Sequence, residues 1–173
     1  MVEMGAALTL RHERYRAAWA DMERARDRAS ELRGTLVRLV DEDARAYAGV
    51  IVALRLPQGD DAERSARRTA LDDALLEAAR PPLRMLAAAA EIAELAAGVA
   101  ERGNVNLLGD AATAALVAES AGRAAAILVE IDAGQSRADG AGEVQAEART
   151  LGVRAGEART RALAAADGRR PRR

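Results

Sequence analysis

Residues 82–102 read PLRMLAAAAEIAELAAGVAER, residues 103–110 GNVNLLGD and residues 111–131 AATAALVAESAGRAAAILVEI. In the first block Arg84, Glu91, Glu94 and Glu101 are spaced seven, three and seven, so all four charges share one narrow helical stripe. The third block repeats the design with Glu119, Arg123 and Glu130. A helix that is apolar around most of its circumference belongs in a core. The fold is therefore predicted to be all-α, a multihelical bundle with two buried central helices. The polar turn between them is drawn toward the interior by its flanks. Its Asn104, Asn106 and Asp110 then need partners. A bound ligand is one way to supply them; a plainly solvated turn is the other reading.

Outward from these blocks, positions 15, 19, 22, 26, 29, 33, 36, 40, 43, 47, 50 and 54 alternate in steps of four and three, which is one face of a long helix, or of two nearly collinear ones, ending at Leu56-Pro57. Along its second half lie Leu36, Val40, Asp43, Tyr47, Val50 and Leu54, with Asp43 the only charge. A carboxylate on a core stripe is desolvated and its pKa rises, which suits a general acid or base. An arginine from another helix would instead make Asp43 half of an ion pair. Asp60 is expected to cap the next helix, with Glu63 completing a capping box. Arg64, Arg67 and Arg68 cluster near its start, either as a solvated face or as clamps for carboxylates. Arg80-Pro81-Pro82 is expected to break that helix, with Pro82 in the first turn of the next. A last helix carries Val144, Ala148, Leu151, Ala155, Ala158 and Ala162 at four-three spacing. About five main helices result, in one domain over residues 1–167, followed by a basic tail, 168–173, expected to be disordered. Two helices this apolar need more cover than the others supply, and a homodimer would provide it.

Composition narrows the function classes. The chain has 173 residues and a net charge of −1, so neither nucleic acid nor an anionic membrane surface is an expected partner. All 26 basic residues are arginine, and cysteine is absent, which excludes disulfides, a thiol nucleophile and thiolate metal sites. His12 is the single histidine, too few for a usual zinc site, and no metal is expected. Charges interrupt both apolar blocks at a density costly in lipid, so a soluble cytoplasmic protein is expected, with no membrane partner.

The order of motifs resembles a known family. Asp43-Ala44-Arg45-Ala46-Tyr47 followed by Leu54-Arg55-Leu56-Pro57 is similar to its "D-A-x-A-Y/F … x-x-L-P" helix end. Arg80-Pro81-Pro82-Leu83 resembles its "x-V-P-L" helix start, and Gly103-Asn104-Val105-Asn106 with Asp110-Ala111 its "G-N-x-N-x-x-S-D" loop. Leu8-Thr9-Leu10 followed by Arg14-Tyr15 resembles the segment after its first helix. On these motifs the chain resembles the formiminotransferase-cyclodeaminase C-terminal domain family, which includes bacterial methenyltetrahydrofolate cyclohydrolases.

The resemblance implies a homodimeric folate enzyme acting on the one-carbon bridge of tetrahydrofolate. Such an enzyme either expels ammonia from the 5-formimino group or opens the 5,10-methenyl ring with water. It implies no cofactor beyond tetrahydrofolate itself. Asp43 would be the acid/base; Asn104, Asn106, Asp110 and Tyr47 would bind substrate; Arg68, or its neighbours Arg64 and Arg67, would meet the glutamate tail. Asp110 is equally readable as the N-cap of the following helix. Departures from the family are Gly109 in place of the loop serine, and Leu128 and Asp132 in place of asparagines. The family's Gly-Gly-Ser-rich start and full first helix are also missing, as if the gene start were placed too late or the chain were a degenerate member. The alternative function is a non-catalytic helical homodimer serving as a binding or assembly protein.

Overall fold

Five α-helices carry the chain: α1 (Val2–Thr9), α2 (Trp19–Leu54), α3 (Asp61–Arg102), α4 (Leu108–Gln135) and α5 (Ala141–Gly168). Two 3₁₀ turns, Glu13–Ala18 and Val105–Leu107, lead into α2 and α4. The computed structural model describes residues 1–169, and none of these lies in a strand. The expected tail falls mainly on residues 170–173, outside the described ones; Gly168 still belongs to α5.

Helix α3 is the axis. Its charge stripe, which one would leave to solvent, is where its neighbours latch. Arg28 of α2 grips Glu91 at 2.6 and 2.9 Å, Glu42 pairs with Arg84, and Asp21 meets Arg102 at 2.9 Å, so α2 runs antiparallel to α3. Arg154 and Arg161 of α5 reach Glu94 and Glu101 at 2.9 and 3.3 Å, in the same sequence order, so α5 runs parallel to it. Such exposed pairs contribute about 0–1 kcal/mol each, and here they define direction and register more than stability. Helix α4 returns antiparallel, with Gly122 against Leu86 and Ala89, and Arg137, just beyond its end, bonded to Asp72. Consequently α2 and α4 flank α3 pointing the same way.

The core is built from small residues. Ala88, Ala89, Ala90, Ala93, Ala96, Ala97 and Ala100 of α3 are all buried. Close helix approach follows: a Cβ on Gly122 would stand 3.1 Å from Leu86 Cδ1 and 3.3 Å from Ala89 Cβ. One cluster gathers α1, the start of α2, the end of α3 and the start of α4 around Met22, Val99 and Leu108. A second joins Leu86, Val129 and Leu151.

Three expectations need correction. The Pro81-Pro82 break does not occur: α3 runs unbroken from Asp61 to Arg102 with both prolines inside. Each proline removes a backbone donor at a cost of about 3 kcal/mol or more in a helix interior. Pro81 and Pro82 are buried along with Ala78, Ala79 and Leu86, and that packing on both sides holds the helix together. The count of five main helices stands only because the two halves of α3 merge while α1 becomes a helix of its own.

The second correction concerns α2. Its packed column is Met22, Ala25, Leu32, Leu39, Val50 and Ala53, whereas Val40, Tyr47 and Leu54 are 63, 56 and 44% exposed. Asp43 is on the edge between the two, half-buried. Third, α4 is central on one side only. Leu116, Val117, Ile127, Leu128 and Ile131 are 41–57% exposed along its outer side.

Candidate functional site

The turn after α3 is held from three other parts of the chain. Gly103 is needed because a Cβ there would sit 2.5 Å from Val99 O. The buried Thr9 hydroxyl at the end of α1 donates to Gly5 O at 2.7 Å and accepts the Asn104 N–H at 3.0 Å. Tyr15, before α2, donates its hydroxyl to Asn104 Oδ1 at 3.3 Å and accepts the Val105 N–H at 3.1 Å. Arg169, after α5, donates to the carbonyls of Ala100 and Gly103 and so satisfies the end of α3. Every other helix therefore contributes to positioning this loop.

Asn104 is the organiser rather than an exposed ligand group. It is buried, and its Oδ1 accepts from Arg14 Nη2 at 3.3 Å, Tyr15 and the Asn106 N–H at 3.0 Å. Asn106 is exposed and Asp110 half-buried, so these two face outward from the loop. Asp110 is not the N-cap of α4. It lies in the first turn, where a carboxylate complements the helix dipole, and Leu107 precedes the helix. Beside the loop a cavity of about 290 Å³ is lined by Arg14, Tyr15, Ala17, Ala18, Glu101, Arg102 and Arg169. Arg102 is paired with Asp21, while Arg14 has no carboxylate partner among the described residues and stacks on the Tyr15 ring at 4.7 Å.

Asp43 lies at the other end of the bundle. No arginine pairs with it among the described residues: Arg84 goes to its neighbour Glu42. Across the helices its partner is Asp132 of α4. Burial lifts the Asp132 carboxyl above the ordinary range, and the charge of Asp43 adds to the effect. Tyr47, one turn beyond Asp43, is exposed.

Arg68 is at this end as well, but its donors are committed. Nε donates to Asp72 Oδ2 at 2.8 Å, and Nη2 reaches both the Asp72 carboxylate and Gln135 O. Asp72 also accepts the Arg137 N–H at 2.9 Å, and its carbonyl accepts the Ser136 hydroxyl at 2.6 Å. Burial works to raise the Asp72 carboxyl, yet the bonds from Arg68 and the Arg137 backbone hold it below its ordinary value. Arg67 similarly caps α2 through Leu54 O, and Arg64 bonds Asp61 and the carbonyls of Gln58 and Gly59. The arginine cluster thus fastens helix ends.

One chain does not bring the sequence-derived residues together. Tyr15 touches the Asn104 loop, and from Trp19 to Asp43 helix α2 rises about 36 Å. Along α4, which runs the same way, Asp110 to Asp132 spans about 33 Å. Two helices therefore measure the same gap: the loop is at one end and the aspartate pair at the other. In the sequence Asp132 stands out only as a departure from the family pattern; its nearness to Asp43 depends on helix packing and has no local signal.

A family model described as formiminotransferase-cyclodeaminase matches residues 1–151. The methenyltetrahydrofolate cyclohydrolase of Methylorubrum extorquens is 34% identical over 133 residues, 77% of this chain and 64% of its own length. The formimidoyltransferase-cyclodeaminase of Rattus norvegicus is 34% identical over 85 residues, 49% of this chain and 16% of that protein. This chain thus spans less than two-thirds of either relative. Among solved structures, the formiminotetrahydrofolate cyclodeaminase of Thermotoga maritima superimposes with a TM-score of 0.84 at 23% identity, covering 96% of this chain and 80% of that one, a likeness of fold.

Proposed function

Because the chain belongs to the formiminotransferase-cyclodeaminase family, we propose that it is an enzyme of folate one-carbon chemistry, a methenyltetrahydrofolate cyclohydrolase or formimidoyltetrahydrofolate cyclodeaminase. The observation that carries this reading is the 34% identity to a named cyclohydrolase across 77% of the chain. Both reactions pass through a tetrahedral carbon bonded to both bridging nitrogens of the folate. In the first, water adds to the methenyl carbon and one carbon–nitrogen bond opens. In the second, the other bridging nitrogen closes on the carbon of the 5-formimino group and ammonia leaves. Each needs a proton taken from the attacking atom and one delivered to the departing nitrogen.

Asp43 and Asp132 supply such a group. Neither has an ion-pair partner among the described residues, and burial, with the charge of Asp43, raises the Asp132 carboxyl. Asp43 takes the acid/base role, with Tyr47 beside it against the substrate. Asn106 and Asp110 hydrogen-bond the pterin, and Asn104 positions both through the loop. Arg14, beside the cavity at the loop and without a carboxylate partner among the described residues, is better placed than Arg68 to meet a glutamate carboxylate. The working unit in this reading is a cytoplasmic homodimer that needs no cofactor beyond the folate carrier.

Purified protein is expected to accelerate the loss of 5,10-methenyltetrahydrofolate absorbance, and Asp43→Asn to slow it by about 100-fold or more with the fold intact by circular dichroism. Absence of acceleration by the parent chain would favour the second reading, a non-catalytic helical homodimer. Leu128 and Asp132, standing where the family has asparagines, are what favours that alternative.

A further inference from the structure

The peptide unit joining Gly103 to Asn104 is gripped at both of its polar ends. Its carbonyl, on Gly103, accepts from Arg169 Nη2 at 2.9 Å. Its N–H, on Asn104, donates to Thr9 Oγ1 at 3.0 Å. In a continuing helix that N–H would go to Ala100 O, four residues back. Thr9 has drawn it away, and Arg169 Nη1 donates to Ala100 O in its place. Ala100 and Gly103 are buried, so their carbonyls need a protein donor rather than water. One guanidinium thus ends α3 and starts the loop.

The grip also fixes which way the peptide points. Turned over, the unit would aim its N–H at a guanidinium, which only donates. Its carbonyl would meet Thr9, whose proton is already given to Gly5 O at 2.7 Å. Only the observed orientation satisfies both ends. It delivers Asn104 with Oδ1 toward Arg14, Tyr15 and the Asn106 N–H, and leaves the Asn106 side chain exposed. Arg169 is itself well anchored. Its own N–H donates to Ala165 O at 3.0 Å, and Ala165 and Ala166 pack on the core around Val99 and Leu108. It lies past residue 151, the end of the stretch that matches the family. We propose that Arg169 is a positioning residue: from the end of α5 it sets the orientation of the loop that presents Asn106 and Asp110 to substrate. The presentation to substrate rests on the proposed folate activity; the hold on the peptide does not. Because this loop serves binding and not proton transfer, its misplacement raises KM more than it lowers kcat.

Arg169→Ala is expected to raise KM for 5,10-methenyltetrahydrofolate about 10-fold and to leave kcat within about twofold. Arg169→Lys, a point charge in place of a planar fork, should fall between variant and parent. Arg154→Ala cuts another tie of α5 to α3, through Glu94, and should leave KM unchanged. It separates loss of the loop from loosening of the helix. Hydrogen exchange by NMR reads the loop without substrate. In Arg169→Ala the Asn104 and Asn106 amides should exchange about 10-fold faster, with those of Leu32 and Leu39 in α2 unchanged. An unchanged KM in an active protein, a fall in kcat alone, or loop exchange as slow as in the parent overturns the proposal. So does equal acceleration in α2, which would mean general loosening. A parent without activity sinks the folate reading, and the exchange of Asn104 and Asn106 still decides whether Arg169 holds the loop.

Discussion

Tyr15 and Asn104 tie the start of α2 to the turn between α3 and α4, with the phenol donating to Asn104 Oδ1 at 3.3 Å while accepting the Val105 N–H at 3.1 Å. One hydroxyl thus satisfies two groups of a loop that has little other freedom. Tyr15→Phe keeps the ring and removes both bonds, and is expected to destabilise the protein by about 1–2 kcal/mol in urea unfolding. Asn104→Ala, which strips an acceptor of three bonds, should cost more, up to about 3 kcal/mol.

Gly122 and Gly152 are both helical glycines but should respond oppositely. Gly122→Val drives a branched side chain into the fully buried Leu86 and should lower stability by about 1–3 kcal/mol. Gly152 has nothing within 4 Å of a built Cβ, so Gly152→Ala should raise stability by up to about 1 kcal/mol through helix propensity. Thermal melts of the two variants decide this; equal and small effects would mean that α3 and α4 are not in such close contact.

Acid should loosen the clamp between α3 and the end of α4. The Asp72 carboxyl is depressed in the folded protein by Arg68 and the Arg137 N–H, so its contribution is complete above its unfolded value, near 3.8, and fades as pH falls through the lower folded value. Asp72→Asn is expected to lower Tm at neutral pH, with the difference from the parent shrinking toward the most acid end. A difference unchanged across that range would show that the ionised form adds nothing.

Asp132 should behave with the opposite sign. Its folded carboxyl is raised by burial and by Asp43, so ionisation penalises the native state above the unfolded value, near 3.8, and the penalty vanishes below it. Asp132→Asn is therefore expected to stabilise the protein at neutral pH, by no more than about 1 kcal/mol, and not in acid. A Tm lowered at pH 7 would contradict this.

Much of the fold was legible in the residue order, and the reasons are local. Asp60 accepts the Glu63 N–H at 2.8 Å as the capping pattern requires, although the Glu63 carboxylate goes to Gly59 N rather than back to Asp60. The 84–91–94–101 stripe was visible as a stripe, because helical period alone puts those positions in line. Its use as a latch for α2 and α5 depends on where the other helices lie. Proline chemistry argued for a break at Pro81; the burial that overrides it comes from distant parts of the chain.

For the site, the residue order determined the candidates but not their company. Positions 22, 29, 36, 43 and 50 form one column of α2, and either neighbouring column can complete a packed face. On one side of the second half lie Leu39, Ala46 and Ala53, on the other Val40, Tyr47 and Leu54, whose larger side chains make the stronger pattern. Packing chose the smaller set, because α3 offers an alanine-lined surface that only close approach can fill. That choice set Asp43 at an edge beside Asp132. Sequence by itself thus determined an all-helical chain, the cap at the start of α3 and the single stripe of charges along it, all properties of period and local bonding. Tertiary structure alone decided that Asp43 and the loop stand at opposite ends of one protomer, because the distance between them is set by the length and shared direction of α2 and α4.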